Sequence, residues 1–291
     1  MRVLEVEGVS LKFGNVKKVD SCSFFTQESE IFGLLGQNGS GKSSLIKSLM
    51  GLNRPYEGRI DFSCRRDEVG YVPQHFAFYP EYTVEENLHF FRGLAKKRRP
   101  VAEIIRQFGL GEHRKVKAER LSGGYKRLLN IAVTMVRPLR LLILDEPTAN
   151  MDVVMRHTIM DIIEGIGRSG VSVLLTTHYM DEAARYCDRV ALISNGRIRA
   201  TGTVDELVDD FGGDYSVHAK IPDSRLLGET LKRAGFSPKV EGQTVYTPIP
   251  KELGNRGTIK ALRIYSKFAI TSLTVEEPSL SKVIEGLNKN A

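Results

Sequence analysis

Eight consecutive residues, Gly36-Gln37-Asn38-Gly39-Ser40-Gly41-Lys42-Ser43, follow the spacing GxxxxGK[ST]. Glycines carry no Cβ, so the backbone can curl until successive N–H groups face one point. Such a loop cradles a phosphate, and a helix opening at its end adds the positive end of its dipole. Lys42 is spaced to reach the β- and γ-phosphates of a nucleotide, and Ser43 offers a hydroxyl to Mg²⁺. The competing reading is a glycine turn without a ligand. The context of a strand before the loop and a helix after it favours phosphate.

A second constellation is Leu141-Leu142-Ile143-Leu144-Asp145-Glu146, an apolar strand that ends in two carboxylates. Beside a phosphate loop, an acid at a strand end helps hold Mg²⁺. Asp145 suits that role, and Glu146 is placed to orient or deprotonate an attacking water. Standing alone, the pair reads equally well as solvated acids capping the helix after Pro147. A third stretch, Leu121-Ser122-Gly123-Gly124-Tyr125, precedes a helical pattern. Ser122 can cap that helix and the glycines expose backbone donors, so it too reads as an anion site. Its distance along the chain from Lys42 does not say whether it meets the same nucleotide.

The elements that must position these residues alternate. Residues 1–31 read as short strands, and Ile31–Leu35 is a strand ending at Gly36. Leu45, Ile46, Leu49 and Met50 then recur at helical spacing. Residues 59–62 and 69–72 are predicted strands. Helices are predicted over 84–94, 101–108, 125–136, 153–166 and 180–186, with the basic run Lys96-Lys97-Arg98-Arg99 between the first two. Strands are predicted at 141–144, 171–176 and 189–193, and Asn195-Gly196 signals a tight hairpin into Arg197-Ile198. This alternation implies an α/β fold with a mainly parallel sheet covered on both faces. After Gly212-Gly213 the order becomes βαββαβ. Strands are expected at 215–221, 239–240, 244–246 and 269–275, and helices at 224–234, 251–265 and 279–287. That order predicts a small ferredoxin-like α+β sandwich over 213–291.

The 291 residues suit about two domains at roughly 150 residues each. No stretch approaches the ~20 consecutive apolar residues of a membrane-spanning helix. Cys22, Cys64 and Cys187 are odd in number and form no CxxC pair, which argues against a disulfide framework or a structural zinc site and fits a reducing cytosol. The net charge of +7 points to an anionic partner. No aromatic residue interleaves the basic run, so it reads as a solvated loop and nucleic acid is not expected as a partner.

With these motifs in order, the chain resembles an ATP-binding subunit of the ABC transporter family over roughly residues 1–212. Gly36–Ser43 resembles the Walker A loop and Asp145-Glu146 the Walker B aspartate with its catalytic glutamate. Gln74 in Tyr71-Val72-Pro73-Gln74 resembles the Q-loop glutamine, and Leu121–Tyr125 the signature. Asp152 resembles the D-loop aspartate, His178 the switch histidine and Phe13 the aromatic that stacks on adenine. Without the resemblance, His178 reads as an ordinary histidine at a strand end, Gln74 as a loop amide and Phe13 as core.

The resemblance implies a P-loop NTPase core, an N-terminal antiparallel β subdomain and a helical subdomain near residues 75–136. It implies ATP and Mg²⁺ as cofactors, with Lys42, Glu146 and His178 catalytic and Ser43, Gln74 and Asp145 around the metal. Phe13, Gly36, Gln37, Asn38, Gly39, Ser40, Gly41, Lys42, Ser43, Ser44, Gln74, Ser122, Gly123, Gly124 and Asp152 would contact nucleotide. Two such subunits, identical or paired, would sandwich ATP head to tail and drive a membrane-spanning permease in trans from the cytoplasmic face of the cell membrane. Residues 78–88 and Glu277-Pro278-Ser279-Leu280 resemble the branch serving ABC-2 type exporters. The alternative is a soluble ABC-type ATPase acting on nucleic acid or the ribosome, and a third reading is a nucleotide-gated regulator that does not hydrolyse ATP. Tyr125 stands where the signature usually has Gln, Gln37 replaces a common Pro, and Ala149 and Met151 vary the D-loop.

Overall fold

A computed structural model describes residues 1–14, 16–212 and 214–283. The chain packs as two compact units, Met1–Val204 and Asp205–Ala291.

In the first unit, β1 (Arg2–Phe13), β2 (Val16–Gln27) and β4 (Glu57–Phe62) form an antiparallel sheet in the order β2-β1-β4. β3 (Ile31–Leu35) leads through the glycine loop into α1 (Lys42–Leu49). Then follow β5 (Val69–Val72), α2 (Val84–Leu94), α3 (Val101–Gln107) and α4 (Gly123–Ala132). The remaining elements are β6 (Leu141–Asp145), α5 (Val153–Arg168), β7 (Ser172–Thr177), α6 (Met180–Tyr186), β8 (Arg189–Ser194) and β9 (Arg197–Thr203). The second sheet runs β5-β6-β7-β3-β8-β9, parallel except for the edge strand β9.

Every residue of β3, β6 and β7 is buried. This is the pattern of strands covered on both faces, and it is why they read as unbroken apolar runs. Phe32, Leu34, Leu141, Ile143, Leu174 and Ala191 pack in one cluster with Leu45, Ile46 and Leu49 of α1 and with Val6, Val9 and Leu11 of β1. α5 contacts β7, and α6 contacts both β3 and β7.

β1 and β2 are each twelve residues long, where short strands were expected. Their pairing slips between Val6 and Val9 and again near Leu11, and Gly8 and Ser21 take positive φ. These bulges break the two-residue alternation, so long strands look like short ones in the sequence. α4 begins at the glycines, two residues earlier than expected, because Ser122 caps it from outside. It stops at Ala132, short of the expected Val136. There Thr134 and Met135 donate to carbonyls three residues back, and Pro138 follows. The Asn195-Gly196 hairpin is present: Ser194 pairs with Arg197, and both loop residues take positive φ.

The basic run is not wholly solvated. Arg98 donates to the carbonyls of Ala95 and Gly93 at the end of α2, and Arg99 to the Gln107 side chain. Arg98 thus closes a helix terminus, where carbonyls lack intrahelical partners.

The second unit opens with α7 (Val204–Phe211) and continues with β10 (Tyr215–Lys220), α8 (Ser224–Arg233), β11 (Lys239–Glu241), β12 (Thr244–Ile249), α9 (Gly254–Tyr265) and β13 (Ser272–Glu276). Its sheet is antiparallel in the order β11-β12-β10-β13, the ferredoxin-like arrangement. Val217, Val245, Leu227, Leu231, Ala261 and Tyr265 form its core. α9 starts at Gly254 rather than Lys251, since turn hydrogen bonds to Pro250 precede it. A helical turn starts at Leu280; residues 284–287 of the expected last helix lie outside the described residues.

Between β5 and α2, the loop Tyr79–Thr83 is tied down by the fully buried Asn87. Its Nδ2 donates to the carbonyls of Tyr79 (2.9 Å), Tyr82 (3.3 Å) and Thr83 (3.1 Å), and its Oδ1 accepts from the Tyr79 N–H (2.8 Å). Asn87→Ala strands these groups and should cost about 2–3 kcal/mol of unfolding free energy in a urea titration. A loss below about 0.5 kcal/mol would show the loop to be held by other contacts.

Candidate functional site

Three adjacent strand ends build the site. β6, β7 and β3 lie side by side in parallel register, with Asp145 opposite Thr176 and Leu35 opposite Thr177. The glycine loop leaves β3 there, and the two carboxylates leave β6. Crevices of this kind at the carboxyl ends of parallel strands are where α/β sheets bind ligands.

The loop needs its glycines for different reasons. Gly36 sits where a Cβ would lie 2.3 Å from the Ile193 carbonyl and 2.6 Å from Ser40 Oγ. Gly41, with φ +111°, is left-handed immediately before α1. Lys42 is only 4% exposed. Its ammonium donates to the carbonyls of Gly36 (2.6 Å) and Gln37 (3.2 Å) and stands 3.3 Å from Glu146 Oε1.

Asp145 is held by two hydroxyls. Ser43 Oγ donates to its Oδ1 across 3.1 Å and Thr176 Oγ1 across 2.8 Å. The Glu146 N–H donates in turn to Thr176 Oγ1 (2.9 Å). Glu146 has φ +48°. For a non-glycine residue such a conformation is sparsely populated and costs on the order of 1–3 kcal/mol, so it persists only where its surroundings hold it. The turn aims Glu146 at Lys42 on one side and at His178 on the other, where Nδ1 lies 3.7 Å from Oε2. That Nδ1 is buried and makes no hydrogen bond. Burial, and then the Asp145 charge, pushes the nearby Tyr71 phenol up to about 12, so it stays neutral.

Lys18, Asn38, Gly39, Gly41, Lys42, Ser43, Ser44, Gln74 and Glu146 line one open cleft of about 330 Å³. Ser43, Gln74 and Asp145 share a second cavity with Lys47, Tyr71 and His75. The structure thus brings Asn38, Gly39, Gly41, Lys42, Ser43, Ser44, Gln74, Asp145 and Glu146 to these two cavities, while Gly36, Gln37, Ser40 and His178 are not among the lining residues. Phe13 instead ends β1, 45% exposed, and does not line the cleft. Nor do Ser122, Gly123, Gly124 and Asp152. Those four cluster elsewhere: a Cβ on Gly124 would fall 2.4 Å from Met155, whose N–H is capped by Asp152 Oδ1 at 2.9 Å. Ser122 caps α4 only loosely, at 3.5 Å from the Tyr125 N–H. The Tyr125 ring packs against His113, with centroids 4.0 Å apart.

Lys18 is a lining residue that sequence reasoning missed. It lies on β2, whose bulged register hides which residues face the loop; its carbonyl approaches both Gly41 and Gly196. A buried brace was missed as well. Glu182, on α6, accepts from Thr148 (2.8 Å), Thr177 (3.1 Å) and Arg156 (2.7 Å). It thereby joins the turn after Glu146, the start of α5 and the strand end that carries His178. Only the three-dimensional packing brings these residues together.

Among the described residues no helix is long and apolar enough to cross a membrane. Residues 19–149 match the family model for the ABC transporter. The linearmycin resistance ATP-binding protein LnrL of Bacillus subtilis is 36% identical over 235 residues, 75% of this chain and 75% of the relative. The Nod factor export ATP-binding protein I of Bradyrhizobium diazoefficiens is 34% identical over 266 residues, 86% of this chain and 87% of the relative. A solved structure of the ATP-binding subunit of an ABC transporter superposes with a TM-score of 0.65 at 28% identity, covering 72% of this chain and 93% of that one. The parallel sheet with its phosphate loop, the carboxylate pair and this shared sequence converge: the chain belongs to the ABC transporter family, among its ATP-binding subunits.

Proposed function

We propose that this chain hydrolyses ATP in the Lys42–Glu146 cleft to power a separate membrane-spanning permease, in the direction of export. The observation that carries the proposal is the convergence of Lys42, Ser43, Gln74, Asp145 and Glu146 on two cavities that share Ser43 and Gln74 as lining residues. The export direction is supported by relatives named for export and for drug resistance.

The loop amides and Lys42 bind the β- and γ-phosphates. Ser43 and Asp145, already hydrogen-bonded to each other, present the hard oxygen donors that Mg²⁺ favours, with the Gln74 amide beside them. Held there, Mg²⁺ would supply positive charge to offset that on the transferred phosphoryl group. Phosphate arriving at Lys42 gives the ammonium a second anionic partner and frees Glu146 to act as a base. The Glu146 carboxylate then takes a proton from water as the water oxygen bonds to the γ-phosphorus. The bond to the bridging oxygen breaks, leaving ADP and phosphate. His178 steadies Glu146 and the attacked phosphate from the far side. Phe13, on the hairpin tip, supplies a ring for the adenine.

Ser122, Gly123, Gly124 and Asp152 lie outside their own cleft at two packed helix starts, which suits them to the nucleotide of a second subunit. We assign residues 1–212 to the ATP-binding domain and 213–291 to an accessory domain, supported by the separate sheet that opens at Tyr215, although the compact units divide eight residues earlier, after Val204 and ahead of most of α7. The permease would dock on the aromatic patch that follows Gln74. Phe76, Tyr79, Tyr82 and Phe90 are all exposed there, and Tyr79 meets Phe90 edge-on at 4.8 Å. Large exposed apolar patches of this kind mark interaction sites. Docking from the cytoplasmic face follows from this reading.

Glu146→Gln should lower kcat about 10²–10⁴-fold in a phosphate-release assay with Mg²⁺, as expected for a lost general base. Wild-type turnover in that variant would refute the catalytic assignment. The same variant should dimerise on adding ATP, read as a doubling of mass in light scattering; a monomer with ATP bound would count against the sandwich. Phe90→Asp should leave ATP binding intact yet release the chain from washed membranes of the source cell. Equal retention of variant and wild type would place the docking surface elsewhere.

A further inference from the structure

α4 begins with Ser122, Gly123 and Gly124, and its next turns carry Arg127 and Asn130 on one face. Both side chains are almost fully buried, at 4% and 1% exposure. Both spend their polar atoms on the main chain around Gln74. Arg127 donates to the carbonyls of Pro73 (3.2 Å) and Gln74 (2.8 Å). Asn130 Nδ2 donates to the carbonyls of Pro73 (3.3 Å) and His75 (3.2 Å), and its Oδ1 accepts from the Ala77 N–H (2.7 Å). The guanidinium also lies 5.2 Å from the centre of the Phe76 ring.

This is a costly way to fill space. Burial pulls the Arg127 pKa down from its ordinary value, with the Asp145 charge acting the other way, and its Nε has no partner. A buried charge with an unmet donor is destabilising unless its other bonds are needed. What those bonds fix is a five-residue segment without regular structure, whose second residue lines both site cavities.

We propose that Arg127 and Asn130 are positioning residues that latch Gln74 to α4, so that the signature end of the helix and the Gln74 amide shift together. A displacement of α4 at its glycine end then relocates Gln74 beside Ser43 and Asp145 in the chain's own ATP site. The latch gives each subunit a direct hydrogen-bonded route from the segment facing a partner's nucleotide to the segment reading its own. It rests on the placement of Gln74 in the ATP site proposed above.

The test uses the full chain with MgATP. Gln74→Ala should lower kcat about tenfold, as a misplaced polar group does. Arg127→Met, which keeps the apolar stem and removes the donors, should lower kcat by a similar factor and leave KM within about twofold. The double variant should be no slower than the slower single one, because both changes remove one function. Arg127→Lys, with one remaining donor reaching the carbonyls, should recover part of the rate. Multiplying losses, near a hundredfold in the double variant, would overturn the latch. An unchanged rate in Gln74→Ala would instead overturn the placement of Gln74, a distinguishable failure. Hydrogen exchange gives a readout free of turnover. In Asn130→Leu the Ala77 amide should exchange at least about tenfold faster, with amides 36–44 unchanged. Unaltered Ala77 exchange in a folded variant, checked by its melting curve, would also overturn the latch.

Discussion

One threonine hydroxyl fixes the corner on which the site depends. Thr176 Oγ1 donates to the Asp145 carboxylate and accepts the Glu146 N–H, so it clamps both sides of one peptide unit. Next to that fixed peptide the chain turns left-handed at Glu146, and the two adjacent carboxylates point to different partners. Asp145 meets Ser43 and Glu146 meets Lys42 and His178. Two neighbouring acids on an ordinary strand would alternate between faces of the sheet. Here both remain near the loop, one suited to a cation and the other to a proton.

The clamp works because register is already set. Thr176 lies opposite Asp145 only while β6 and β7 keep their alignment, and the apolar side chains on both faces of these strands fix it. β3, next in the sheet, brings the glycine loop to the same edge. The Glu182 brace then ties the turn after Glu146 to α5 and to the start of α6. A buried acid with three donors around it is well satisfied, which lets a charged group serve as a fastening inside the fold.

Much of this was legible in the sequence because the chemistry is local. The phosphate loop, the carboxylate pair and the hairpin at Asn195-Gly196 each depend on residues within eight positions of one another. The alternation of buried strands with amphipathic helices, and the βαββαβ order of the second unit, follow from periodicity alone. Where periodicity is interrupted the reading falters. Bulges at Gly8 and Ser21 shortened β1 and β2 on paper and concealed Lys18. The end of α4 was misplaced because tight turn bonds replace helical ones there, and these leave the apolar spacing unchanged.

The residues that escaped the sequence share a property: each bonds to groups that only the folded chain brings to it. Arg127 and Asn130 read as ordinary positions of an amphipathic helix, yet they hold carbonyls more than fifty residues earlier. Glu182 reads as a helix-start acid, yet it gathers three segments. Groups that touch a ligand need fixed spacing and so leave a motif. Groups that hold the ligand-binding segments need only a donor or acceptor at the right point of the fold. In this chain the two kinds meet on α4, whose first turn carries the motif and whose buried second and third turns carry the attachment. A helix with both is stiff along its length, so its two ends cannot take independent positions.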